Sequence, residues 1–105
     1  MSLEKNNQIR LILEGKQLGV RFSFMENERT IWSSVGVQLH DEKYKVYADE
    51  IEESKMAAES YRMEVGISFT NVSDALNWIR ENTRANPDEL RPCKGLKIFN
   101  PALFD

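Results

Sequence analysis

An α+β domain, built as an antiparallel sheet of about four to six strands with one or two covering helices, is the fold class this sequence predicts. Three observations carry it. Several short runs alternate apolar and polar residues with the period of two expected of half-buried strands. One later run, Val72, Ala75, Leu76 and Ile79, has the i, i+3, i+4, i+7 spacing of a helical face. The 105 residues fit a single hydrophobic core, so one globular domain over 1–105 is expected, with a flexible N-terminus over about 1–7 and an irregular segment over about 84–105. A partly closed β-barrel plus helix is the alternative arrangement of the same elements.

The first alternation sets Ile9, Leu11 and Leu13 against Arg10, Ile12 and Glu14. It reads as a strand, with Gly15-Lys16 as the turn of an antiparallel hairpin. The returning strand places Leu18, Val20, Phe22 and Phe24 on one face, with Gly19, Arg21 and Ser23 on the other. Asn27 breaks this run, and Thr30-Ile31-Trp32 opens the next. There Val35, Val37 and Leu39 share a face opposite Trp32, Ser34, Gly36, Gln38 and His40, and Gly36 marks a bulge or a close backbone approach. A fourth strand is expected through Tyr44–Tyr47.

Residues 48–60 contain no glycine, proline or asparagine, which favours helix, yet Ser54 and Lys55 interrupt the apolar face such a helix requires. An acidic surface helix and an extended hairpin connection therefore compete. Met63, Val65, Ile67 and Phe69 alternate with Glu64, Gly66 and Ser68 as a further strand. The helix follows over 72–83, capped by Asn71 or Ser73, with Asp74 favouring its positive end. Pro87, Pro92, Gly95 and Pro101 exclude a long final helix, leaving a tail that packs back through Leu96, Ile98, Phe99, Leu103 and Phe104, with Leu96 to Phe99 as a short strand. The expected core comprises Leu11, Val20, Phe22, Val35, Val65, Ile67, Leu76 and Ile79.

The chemical inventory is narrow. One histidine and one cysteine cannot supply a repeated zinc ligand set or a disulfide, so no metal and no cofactor is expected. His40 beside Asp41 has no accompanying nucleophile motif, and a solvent-facing strand end accounts for it. Cys93, between Pro92 and Lys94, has a cation nearby to lower its thiol pKa but no base or oxyanion site beside it. The run Asp49-Glu50-Ile51-Glu52-Glu53 lacks the spaced ligands and turn glycine of a calcium loop, and the five glycines form neither a Walker loop nor GxGxxG. No catalytic residue is assigned, and the chain reads as noncatalytic.

Net charge is −3, from 14 basic and 17 acidic side chains, which removes the general attraction behind most nucleic-acid binding. No apolar run approaches the roughly 18 residues of a membrane-spanning helix, and Met1 to Asn7 lacks the apolar centre of a signal peptide. With one free thiol, a cytoplasmic location is expected. Between His40 and Glu64 eight acids face four bases. The expected function is a noncatalytic protein-binding module, of the inhibitor or immunity type, that meets a basic protein partner through Asp49, Glu50, Glu52 and Glu53 with Tyr47 and Trp32 as an aromatic rim. Two alternatives stand beside it: a structural or regulatory subunit that forms a homo-oligomer or joins a larger assembly through a sheet edge or the apolar tail, and a small enzyme with a site near His40.

Overall fold

The computed structural model describes residues 3–104. Helix α1 (Leu3–Leu13) precedes strands β1 (Leu18–Glu26), β2 (Arg29–His40), β3 (Lys43–Glu52) and β4 (Met63–Phe69). Helix α2 (Val72–Asn82) and a two-residue strand β5 (Arg91–Pro92) follow. All strands pair antiparallel in one open sheet of order β4-β3-β2-β1-β5, so the α+β reading holds and the barrel alternative does not.

Two tight turns set the register. Asn27 and Glu28 between β1 and β2, and Asp41 and Glu42 between β2 and β3, all have positive φ, as the central pair of a type I′ hairpin requires. Leu18 therefore lies opposite Val37, and Val37 opposite Val46. These residues, with Val35 and Ala48, form the face buried under Ile12 of α1 and Ala75, Leu76 and Ile79 of α2. Asn71 caps α2 by accepting from the Asp74 backbone N–H at 2.8 Å.

The opening segment corrects the sequence reading. Ile9 to Leu13 is helix, and residues 3–7 of the expected flexible terminus belong to it, while residues 1 and 2 lie outside the described residues. The alternation of Ile9, Leu11 and Leu13 coexists with the i, i+3 pair Ile9 and Ile12, and burial favours the latter. Ile12 is 0% exposed and Leu13 55%. Gly15 is not a hairpin turn. It sits at φ +89°, with its N–H bonded to Ile12 O and the Lys16 N–H to Leu11 O, which is a Schellman cap on α1.

One open choice is settled, and two further expectations change. Residues 48–60 form the hairpin connection rather than a helix, because β3 continues to Glu52 before a 3₁₀ turn at Glu53–Lys55; sheet pairing overrides helix propensity. Leu96 to Phe99 is not a strand, and the short strand is β5 instead. Of the expected core, Val35, Leu76 and Ile79 are buried, Leu11, Val20, Phe22 and Ile67 are half-buried at its margins, and Val65 is half-buried.

Candidate functional site

The sheet face away from the helices is partly covered by the C-terminal segment 96–104, here the strap, and three glycines make its seat. Gly19, Gly36, Tyr47 and Gly66 are successive cross-strand partners and so project on one face in a single row. A Cβ at Gly36 would stand 3.0 Å from the Phe99 ring, one at Gly66 would stand 2.7 Å from the Phe104 ring, and one at Gly19 would collide with Ile98. The absence of side chains there lets the strap lie against the backbone. Phe99 stacks between Tyr47 and Phe104, with ring centroids 5.7 and 5.9 Å away.

Side chains from the neighbouring row hold the strap's main chain. Buried Gln17 accepts from the Ile98 and Phe99 N–H groups and donates to Phe99 O at 2.9 Å and to the Gln38 side chain at 2.9 Å. Buried Lys45 donates to Phe104 O and lies 5.4 Å from the centre of that ring. The strap docks by complementary packing and by a carboxamide that uses both its donor and acceptor capacity.

On the other side of the glycine row, Arg21, Ser34, Asp49 and Glu64 are successive partners across four strands. The Arg21 guanidinium donates to Ser34 Oγ at 2.9 Å, and the Ser34 backbone N–H donates to Asp49 Oδ1 at 3.0 Å. Asp49 and Glu64 are directly opposed like charges, a destabilising pair if left alone. The Tyr47 hydroxyl lies between them, 2.9 Å from Asp49 Oδ2 and 2.7 Å from Glu64 Oε2. It has one proton to donate, so both contacts are satisfied together only when one carboxyl is protonated. Burial pushes the Asp49 carboxyl above its ordinary pKa, although the bonds from Tyr47 and Ser34 and the charge of Arg21 pull it down. Burial, then the bond to Glu64 and the charge of Asp49, hold the Tyr47 phenol above its ordinary value, so it remains a donor at neutral pH.

Two cavities meet at Tyr47. One of about 390 Å³ lies toward the strap, with Glu64, Gly66, Leu103 and Phe104 among its walls. The other, of about 290 Å³, is walled by Arg21, Trp32, Ser34, Asp49, Ile51 and Tyr61, with Met56 at its side. The two share Tyr47 and Ile98 as walls, and along this cleft Asp49 and Glu64 lie among aromatic side chains, with the Arg21 guanidinium beside Asp49. Such a lining suits a cationic side chain, which gains carboxylate hydrogen bonds at its head and aromatic contact along its stem.

The expected binding residues divide between surfaces. Trp32, Tyr47 and Asp49 line the cleft. Strand alternation sends Glu50 and Glu52 to the opposite face, where Glu50 pairs with Arg62 at 2.9 Å and Glu52 with Arg29 at 3.3 Å. Glu53, in the turn, accepts from Trp32 Nε1 at 3.1 Å. The four acids therefore do not form one face. Arg21, Ser34 and Glu64 were not singled out by sequence reasoning, although their signal was present: each falls on the polar side of a recognised alternation.

His40 lies at the end of β2, 3.5 Å from Asp41, away from the cleft. Burial pushes the half-buried Cys93 thiol up, outweighing the Arg21 and Lys97 charges, which reverses the expected lowering. Among the described residues no group of three or more metal-ligating side chains converges, and no helix is long and apolar enough to cross a membrane. No family model, curated protein or solved structure matches the chain.

Proposed function

We propose that this chain is a noncatalytic protein-binding module, of the inhibitor or immunity type, whose Tyr47 cleft receives a cationic side chain of a basic protein partner. The observation that carries the reading is the Tyr47 hydroxyl held between the Asp49 and Glu64 carboxylates at the meeting point of two cavities. One hydroxyl proton leaves a carboxylate oxygen wanting a donor, and an incoming guanidinium or ammonium supplies it. Trp32 and Tyr61 line the same cavity and supply aromatic surface beside that group. Electrostatic attraction to the cleft contributes chiefly to association rate and partner choice.

The reading moves the recognition charge from the run Asp49–Glu53 to the pair Asp49 and Glu64. Titration of ¹⁵N-labelled protein with an Ac-Gly-Arg-Gly amide and with its uncharged citrulline counterpart tests it. Shifts centred on Ser34, Tyr47, Asp49 and Glu64 are expected with the arginine peptide, weakening as salt rises and lost in Asp49→Asn/Glu64→Gln. Glu50→Lys and Glu52→Lys are expected to leave them in place. Equal response to both peptides, or a response mapped elsewhere, sinks the proposal.

A further inference from the structure

We infer that the outer edge of β4 pairs antiparallel with the same strand of a second copy, about a two-fold axis at Gly66, to give one continuous ten-stranded sheet. The two ends of the sheet are treated differently. β5, at one end, is two residues long and contains Pro92, a short and proline-blocked edge that resists further pairing. β4, at the other, runs seven residues in unbroken register with β3 from Met63 to Phe69. It contains no proline, lysine or arginine, and Glu64 is its one charge. None of its residues has positive φ. Of the devices that normally protect an edge strand, shortness, proline, lysine and a bulge are missing from this one.

The occupant follows from the order of residues. Reflected about Gly66, Val65 meets the second copy's Ile67, Met63 meets its Phe69, and Glu64 meets its Ser68. The first two are a β-branched pair and a sulfur–aromatic pair, each favourable across an antiparallel seam, and the third sets no charge against a like charge. Beside the axis, Leu103 of the strap is 79% exposed and borders the cavity that contains Gly66 and Glu64. The two Glu64 carboxylates do not oppose assembly. Four residues of strand separate them along the seam, about 13 Å at ~3.3 Å per residue, beyond the ~8 Å over which exposed charges act at physiological ionic strength.

Sedimentation velocity of the wild-type chain over a wide concentration range, paired with cysteine cross-linking, tests both the assembly and its register. Directly opposed residues of an antiparallel pair have Cα atoms about 4.5–5.5 Å apart, within disulfide reach. In a Cys93→Ser background, Glu64→Cys/Ser68→Cys is expected to oxidise to a covalent dimer, because the two positions are too far apart along one strand to bridge within a chain. Glu64→Cys alone is expected to remain uncross-linked. The wild-type chain is expected to shift to twice its monomer mass as concentration rises. A wild type that stays monomeric throughout overturns the inference. So does a dimer whose double-cysteine variant does not cross-link, or a single-cysteine variant that cross-links equally well.

Discussion

Replacing Gly66 with alanine tests whether the glycine row is the seat of the strap. The new Cβ would stand 2.7, 2.9 and 2.9 Å from three atoms of the Phe104 ring, whereas carbon atoms in contact settle near 3.5–4.0 Å. The ring must retreat by about 1 Å. Retreat disturbs its stack on Phe99 and its contact with buried Lys45, whose amine also bonds to Phe104 O. Overpacking of this kind costs about 1–3 kcal/mol, and the smaller unfolded-state entropy of alanine offsets about 0.4–1 kcal/mol of it. A net loss of about 1–2 kcal/mol is expected, or roughly 5–15 °C in Tm for a domain of this size. Phe104→Ala removes the obstacle, so Gly66→Ala in that background should be neutral or slightly stabilising. The resulting coupling is about 2 kcal/mol, well beyond the ~0.5 kcal/mol scatter of independent sites. Urea unfolding at one fixed low protein concentration, followed by the fluorescence of Trp32 and Trp78, measures all four proteins of the cycle. Additive effects, or a Gly66→Ala chain as stable as wild type, would refute the seat.

Ile12→Ala should cost about 2–5 kcal/mol and Leu13→Ala under about 0.5 kcal/mol, because α1 buries the first and exposes the second; equal losses in denaturant unfolding would restore the strand reading. Asp49 binds its proton more readily folded than unfolded, so the stability this supplies is complete below the unfolded value near 3.9 and is lost as pH rises through the folded value. Asp49→Asn keeps the acceptor for Ser34 and gives Tyr47 a donor, so it should raise stability at pH 7 by about 1 kcal/mol and flatten the pH profile; unfolding curves from pH 4 to 8 that match wild type would contradict the proton count at Tyr47. His40→Ala and Cys93→Ser should each change stability by no more than about 1 kcal/mol and leave the arginine-peptide shifts intact, and loss of those shifts in a folded variant would bring the histidine or the thiol into the site.

The sequence by itself determined the strands whose two faces differ in polarity and the capped helix α2. Alternation at Leu18–Phe24, Val35–Leu39 and Met63–Phe69 fixes which side chains meet the core, and the spacing of Val72, Ala75, Leu76 and Ile79 admits only a helical face. It also placed Gly19, Gly36 and Gly66 on the polar side of three separate strands. That these glycines share one row, however, depends on the register set by the hairpin turns and on strand order, which joins residues far apart in the chain. The same long-range pairing opposes Asp49 to Glu64 and separates Asp49 from Glu50, so a run of acids that looks continuous in the sequence is divided between two faces of a sheet. At Ile9–Leu13 local pattern was ambiguous between two periods, and only the packing of Ile12 against the sheet decided for the helix. Tertiary structure decided wherever the free energy lay in contacts between segments rather than within one.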